Sequence, residues 1–294
     1  MMKGLSVSRE EDPLKLPLLS FPQALWRQRE LLWRLSQREV QGRYRGSMLG
    51  WGWSLITPLL MLAVYTFVFS QVFQARWGDL EQGGPLIFAI NLFAGLIVFN
   101  LFSETANQAP ELVIRNSNLV TKVIFPLEIL PAVTVVAALF HAITSLAVLF
   151  AFQVANGLLS VETSNIISDG IHPTLLWLPL VWFPLVSGCL AMGWVLSALG
   201  VYLRDLGQVI GVTINLLMFL SAVFYPLSAL PERWQPLLIL NPLVIIIDQT
   251  RQVCVDGLIP SLSYLAIGSL LGLVLCEITY RAFQKARKGF ADVL

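Results

Sequence analysis

The sequence contains few charged side chains for its length. Asp, Glu, Lys and Arg make up 13% of its 294 residues, whereas apolar residues make up 56%. The mean hydropathy is +0.72. A water-soluble domain of this size could not bury so much apolar surface. The composition therefore excludes a soluble globular protein and predicts an integral membrane protein.

Cysteine and histidine are also scarce. The three cysteines, Cys189, Cys254 and Cys276, are odd in number and widely spaced, which argues against a disulfide framework or a metal site. The two histidines, His141 and His172, fall in an apolar span and in an outer loop, too far apart in depth to share a metal. A proton relay through His141 is one interpretation, but a hydrogen-bonded imidazole between packed helices is the more frequent role.

Several functional motifs are missing. The chain has no G-x-x-x-x-G-K-[ST] phosphate loop, so we expect no cofactor, and any ATP must be bound by a partner subunit. No acidic or histidine pair converges at one membrane face, as a membrane-embedded transferase would require. Glu104, Glu128 and Glu277 fall near the predicted cytoplasmic ends of spans, which disfavours a proton- or sodium-coupled carrier. Membrane lipids are expected partners, and nucleic acid is not.

Residues 21–48 have the pattern of an amphipathic helix, the interface helix. At about 100° per residue, six apolar side chains fall in one sector about 120° wide: Leu25, Trp26, Leu32, Trp33, Val40 and Tyr44. The opposite side carries Arg27, Arg34, Arg38 and Arg45. This pattern predicts a helix at the membrane surface with its arginines facing phosphates or a cytosolic protein. An ordinary surface helix has the same pattern, but the adjoining apolar span favours the membrane.

Six apolar stretches are long enough to cross a hydrocarbon core of about 30 Å. The predicted spans are residues 49–73, 85–106, 127–155, 174–203, 206–225 and 262–280. A polar link, residues 109–125, separates the second span from the third. Residues 1–20 are predicted to be flexible and to contain no cleavable signal. Residues 284–294 are predicted to form a short tail.

Residues 227–257, the outer gate segment, contain an apolar run that is interrupted at Asn241-Pro242. The run, residues 237–247, would extend only about 17 Å as a helix, so we predict a re-entrant pair of short helices. With six crossings, 16 of the 19 Lys and Arg residues lie inside, and only Arg76, Arg233 and Arg251 lie outside. A seventh crossing would place the C-terminal cations outside. Both termini are therefore predicted to be cytoplasmic.

Aromatic side chains and one amide are candidates for lining a channel in the spans. Rings can stack on the apolar faces of sugars, and amides can bind sugar hydroxyls. Rings that face lipid or pack between helices would produce the same composition. The candidates are Tyr65, Phe69, Phe73, Asn91, Phe99, Phe102, Phe219, Phe224 and Tyr225.

Three stretches in order carry a family resemblance. The pattern R-Y-[RK]-G-S-x-L-G-x-x-W-[ST]-x-x-x-P is matched by residues 43–58, from Arg43 to Pro58. Residues 113–131 and 224–253 agree as well. Together they resemble the type-2 ABC exporter permeases that export bacterial polysaccharides such as O-antigen, capsule and teichoic acid. The resemblance covers nearly the whole chain after residue 20.

This resemblance implies a homodimer of six-span subunits in the bacterial inner membrane, with an ATPase subunit on the cytoplasmic side and a lipid-linked polysaccharide as substrate. The implied ATPase-coupling residues are Arg27, Arg34, Arg38, Arg45, Glu111, Arg115, Asn118 and Lys122. The implied external gate includes Trp234, Asn241 and Pro242. Export of a small lipid or drug, a membrane-embedded glycosyl- or acyltransferase and a non-catalytic scaffold remain alternative functions.

Overall fold

A computed structural model describes residues 20–69, 85–121, 125–160 and 172–294. This part of the chain is helical and contains no β-strand. Phe73 and Lys122, and nearly all of the segment predicted to be flexible at residues 1–20, lie outside the described residues.

The chain first forms two helices that lead to the first span. These are α1, Ser20–Arg27, and α2, Arg29–Tyr44. Gly46 and Gly50 then take φ values of 85° and 49°, a left-handed conformation that glycine adopts without a Cβ penalty. They turn the chain into a 3₁₀ turn, Gly50–Gly52, and the span helix α3, Trp53–Phe67.

The helix α4, Pro85–Gln108, is the most buried of the long helices. It packs against α3 and against four later helices: α7, Leu130–Ser160; α8, Leu178–Tyr202; α9, Leu206–Leu220; and α11, Pro242–Arg251. Ala89, Leu92, Ala94 and Val98 of α4 are fully buried. These small and branched side chains allow close approach between helices, so α4 lies at the centre of the bundle.

The link begins with a 3₁₀ turn, Ala109–Glu111, and continues as α5, Leu112–Arg115, and α6, Ser117–Thr121. The 3₁₀ turn Leu127–Ile129 then leads into α7. After the 3₁₀ turn Pro173–Trp177 comes α8, Leu178–Tyr202, which packs along α12, Leu262–Arg287. A Cβ at Gly272 of α12 would overlap the Ser187 side chain. Glycine is therefore required at this crossing.

The outer gate segment folds into short helices. A 3₁₀ turn, Leu227–Ala229, precedes α10, Gln235–Ile239, and α11 follows. Asn241 caps α11 by accepting a hydrogen bond of 3.1 Å from the Leu243 backbone N–H. A π-helical turn, Gln252–Asp256, closes the segment before α12. The last helix is α13, Phe290–Val293.

Five helical segments among the described residues are long and apolar enough to cross a membrane: Gly50–Phe67, Ile87–Arg115, Leu127–Ala155, Pro173–Tyr202 and Leu262–Arg287. The remaining predicted span, residues 206–225, contains a shorter apolar helix, α9, of 15 residues. Helix α9 ends before residue 225 because Ala222 takes a left-handed φ of 51°. The sixth crossing therefore remains a prediction.

Candidate coupling surface and cavities

The N-terminal end of α1 is held on the last span helix. The Ser20 backbone N–H and hydroxyl donate to the Glu277 carboxylate of α12 at 2.9 and 2.7 Å. Phe21 is buried, and its ring lies 5.9 Å edge-on from the Trp194 ring of α8. The start of the interface helix is thus fixed to two span helices.

The other end of the interface helix binds two further spans through consecutive residues. Arg43 forms an ion pair of 2.6 Å with Glu104 of α4. The Tyr44 hydroxyl forms a hydrogen bond of 3.1 Å with Nδ1 of His141 in α7. Burial raises the pKa of the Tyr44 phenol above its ordinary value, so the hydroxyl retains its proton. The C-terminal end of the interface helix is therefore joined to both α4 and α7.

The four predicted coupling arginines of the interface helix, Arg27, Arg34, Arg38 and Arg45, are all exposed. On the other side of α2, Ser36 and Val40 are buried, and α2 packs on α7. The predicted apolar sector does not pack uniformly. Its two tryptophans, Trp26 and Trp33, are 69% and 58% exposed, and the Arg29 guanidinium lies 5.0 Å from the Trp26 ring.

The link combines a buried side with an exposed polar side. Ala109, Pro110, Leu112 and Val113 are buried, and this part of the link packs on α8. A Cβ at Gly200 of α8 would overlap the Pro110 carbonyl group. The predicted coupling residues of the link that the structure describes, Glu111, Arg115 and Asn118, are all exposed. The link is therefore anchored on α8, and its polar side stays accessible.

A groove of about 1090 Å³ separates α2 from the link. Its walls carry three exposed arginines, Arg38, Arg45 and Arg115, together with the paired Arg43 and one carboxylate, Glu39. The groove is thus predominantly basic.

The three carboxylates predicted near the cytoplasmic ends of spans are all paired with arginine. Besides the Arg43–Glu104 pair, Glu128 accepts a bond of 2.9 Å from Arg287, and Glu277 pairs with Arg281 at 2.7 Å. Arg287 also donates to the Phe125 carbonyl at 2.8 Å. These contacts bind the end of the link to the last span helix.

A second cavity, of about 400 Å³, lies between α3, α4 and α7. Arg43 and Tyr44 line both this cavity and the basic groove. The wall also includes Glu104 and His141, and Nε2 of His141 is buried without a hydrogen-bond partner in the described part of the chain. Sequence reasoning did not identify this cavity, because it is formed by residues that are distant in the chain.

The predicted channel residues occupy different environments. Asn91 and Phe99 are buried in the packing of the subunit, at 2% and 3% exposure. Tyr65, Phe69 and Phe102 are partly buried against the core, and Phe69 stacks on Phe88 with ring centres 4.9 Å apart. Phe219 is exposed and stacks on Phe224 at 5.5 Å, and the Tyr225 hydroxyl donates to the Phe219 carbonyl at 2.8 Å. Phe219, Phe224 and Tyr225 therefore form one contiguous aromatic surface.

The predicted gate residues lie in the outer gate segment as follows. Trp234 is exposed, and the Arg233 guanidinium lies 5.7 Å from its ring. The Asn241 side-chain amide donates to the Ser221 hydroxyl at 2.9 Å. Pro242 begins α11, where its fixed φ suits the first helical turn. Asn241 therefore joins this segment to the end of α9.

Arg251 is a structural residue that sequence reasoning missed. It was counted as an outside cation but is only 4% exposed. Its guanidinium donates to the Asn91, Ala222 and Val223 carbonyls at 2.9, 3.0 and 2.7 Å. Burial lowers the pKa of Arg251, while Asp248 and Asp256 raise it. The available signal is an arginine four residues after an apolar run that is too short to cross the membrane.

No group of three or more histidine, cysteine or acidic side chains within the described ranges could hold a metal ion.

The chain is similar to known proteins along most of its length. Residues 30–255 match the ABC-2 type transporter family. The O-antigen export system permease protein RfbA of Myxococcus xanthus is 28% identical over 270 residues, covering 91% of this chain and 96% of that protein. A protein of the same name from Klebsiella pneumoniae is 24% identical over 268 residues, covering 90% and 95%. The polysialic acid transport protein KpsM of Escherichia coli is 23% identical over 253 residues, covering 85% and 92%.

Proposed function

The chain belongs to the ABC-2 type transporter family, and from this premise we propose that it is the membrane subunit of an ATP-driven exporter of a lipid-linked polysaccharide. The observation that carries the proposal is similarity to two kinds of polysaccharide export protein over nearly their whole length. Their names favour a polymer over a small lipid or drug as substrate. The sequence offers no phosphate loop for ATP, which favours hydrolysis by a partner subunit.

The ATPase partner docks on the basic groove and on the exposed side of the link. Three features support this surface: the exposed arginines of α2, the exposed Glu111, Arg115 and Asn118, and the packing of the link on α8. Complementary charge guides such an encounter and fixes its orientation. When the partner closes on ATP, it displaces the link and the interface helix, which move α8, α4 and α7.

Two copies of the chain form the channel. The support is the exposed apolar surface of α3, whose candidate span is the least buried of the five, and of α9, where Val212, Leu216 and Phe219 are exposed. Each subunit crosses the inner membrane six times with both termini in the cytoplasm, and the outer gate segment is re-entrant. The aromatic surface of Phe219, Phe224 and Tyr225 contacts the polymer as it passes.

The first experiment is purification of the tagged protein in mild detergent from its native host, followed by mass spectrometry. We expect an ATPase subunit at about a one-to-one ratio. A known exporter from the same family, purified in parallel, controls for loss of partners in detergent. Absence of any ATPase while the control complex stays intact would refute the exporter proposal.

The second experiment tests the substrate. Deletion of the gene should leave lipid-linked polysaccharide on the cytoplasmic face and remove it from the cell surface, as read by labelling intact and broken cells with a lectin. The alternative outcome is normal surface polysaccharide in the deletion strain, together with a changed distribution of a small lipid between the two membrane faces. That result would identify the lipid, and not the polymer, as the substrate.

A further inference from the structure

The cavity between α3, α4 and α7 presents polar side chains without partners in the described part of the chain. Asn100 of α4 and Thr57 of α3 both line it, and both are exposed. Neither side chain forms a hydrogen bond to another described residue. An amide or hydroxyl that opens into a cavity without a protein partner can donate and accept hydrogen bonds to a bound molecule. These two side chains therefore indicate that the cavity holds something polar.

The charge of the cavity wall argues against an anionic occupant. Its one cation, Arg43, is already paired with Glu104. The pair leaves the wall without net charge, so a phosphate would have to compete with the Glu104 carboxylate for the same guanidinium. A neutral ligand with both donors and acceptors can instead bind Arg43 and Glu104 together.

The remaining wall is suited to a sugar ring. Trp53 is 39% exposed and Met61 is 50% exposed, so the cavity offers an aromatic ring and an aliphatic side chain beside the planar polar groups of Asn100, Arg43 and Glu104. Aromatic surface packs on the apolar face of a pyranose, while planar amide, carboxylate and guanidinium groups bind adjacent hydroxyls. The volume of about 400 Å³ is within the range of small-molecule sites.

We propose that this cavity is a binding site for one neutral sugar residue of a glycan chain. The proposal rests on the proposed function, because it assigns part of the exported polymer to a defined site. Arg43 and Tyr44 also line the basic groove, so the sugar site lies directly behind the junction that the interface helix forms with α4 and α7. Sugar binding and the position of the interface helix are thereby linked.

The test measures binding of neutral trisaccharides of glucose, mannose and galactose to the complete transporter in lipid nanodiscs, by saturation-transfer difference NMR. At least one of them should bind the unaltered protein. We expect Asn100→Leu and Thr57→Val each to weaken binding by about fivefold to tenfold, as the loss of one hydrogen bond predicts. A sialic acid trimer should bind at least about tenfold more weakly, because it is anionic.

Two matched variants serve as controls. Asn107→Leu changes an exposed amide of α4 two turns from Asn100, and Thr213→Val changes an exposed hydroxyl of α9; neither residue lines the cavity. Both should bind the trisaccharide as the unaltered protein does. Equal loss in the controls, or no loss in Asn100→Leu and Thr57→Val, would overturn the site. So would equal binding of the sialic acid trimer.

Surface polysaccharide is measured in the same strains to separate this inference from the proposed function. Export by the unaltered protein without binding of any neutral trisaccharide would refute the sugar site and leave the export function standing. Failure of the gene deletion to change surface polysaccharide would refute the export function itself.

Discussion

Two arginines bind α4 near its opposite ends, and they do so in different ways. Arg251 is buried and donates to the Asn91 carbonyl of α4 and to the Ala222 and Val223 carbonyls, which lie just after α9. Arg43 makes a single ion pair with Glu104, and the two side chains are 30% and 19% exposed. A buried guanidinium with three carbonyl acceptors cannot leave without exposing unsatisfied groups. A partly exposed ion pair can separate at low cost, because water can hydrogen-bond to both side chains.

From this difference we predict that the Arg251 end of α4 stays fixed during transport and the Glu104 end moves. About 20 Å of helix separate residue 91 from residue 104, so a small tilt about the Arg251 end displaces the Glu104 end most. The interface helix contacts the Glu104 end. The variants below test this prediction and the docking of the ATPase partner.

The largest effect is expected from Arg251→Met. The change removes three hydrogen bonds to buried backbone carbonyls and should lower the free energy of unfolding by about 3 kcal/mol or more. Thermal unfolding in detergent, followed by gel filtration, measures the loss. Arg251→Lys is the control and should be intermediate, because an ammonium group cannot reproduce the planar geometry of three guanidinium bonds. Unchanged stability of Arg251→Met would contradict a fixed outer end.

Charge reversal at the other end should mainly affect transport. Arg43→Glu and Glu104→Arg each place like charges together and should lower the free energy of unfolding by only about 1 to 2 kcal/mol. Each should also reduce the amount of polymer exported per ATP hydrolysed. The double variant restores an opposite pair and should recover export. A double variant no better than either single variant would show that this ion pair does not transmit movement.

A smaller effect is expected from Arg115→Glu on the exposed side of the link. Reversal of a charge at the edge of an interface should weaken binding of the ATPase by about fivefold to tenfold, more strongly at low salt. Membrane insertion should be unaffected, because Arg115 is exposed. Arg233→Glu, an exposed charge in the outer gate segment, is the matched control. If both variants bind the ATPase equally well, the link is not part of the docking surface.

The smallest effect is expected from Tyr44→Phe, which removes the hydrogen bond to His141 and should lower stability by about 1 kcal/mol. Transport per ATP should also fall. Tyr202→Phe removes a comparable bond of 3.2 Å to the Ala286 carbonyl, and it should lower stability without reducing transport per ATP. If Tyr44→Phe and Tyr202→Phe export the same amount of polymer per ATP hydrolysed, the Tyr44 hydrogen bond has a purely structural role.

Much of the fold could be predicted from sequence because hydrocarbon imposes length and composition on a span. Five of the six predicted spans correspond to helices long enough to cross a membrane. The sequence also predicts the interruption of the apolar run at Asn241-Pro242. In the structure Pro242 begins α11 and Asn241 caps it. Local rules of chain geometry decide both features.

The contacts of the site could not be predicted, because they join residues far apart in sequence. Periodicity does not indicate that Arg43 meets Glu104 or that Arg251 reaches residues 91, 222 and 223. The same limit applies to burial within the spans. Asn91 and Phe99 have the amide and aromatic side chains expected in a channel wall. In the structure, packing against neighbouring helices buries both of them.

Two contacts between the cytoplasmic segments and α12 can form only late in synthesis of the chain. Glu128 and Arg287 are separated by 159 residues, and Ser20 and Glu277 by 257 residues. The ribosome therefore makes the interface helix and the link long before it makes their partners on α12. Until α12 is inserted, Glu128 lacks Arg287 and the start of α1 lacks its acceptor. A chain truncated before its last span would lack both contacts, so this face of the subunit closes only when synthesis is nearly complete.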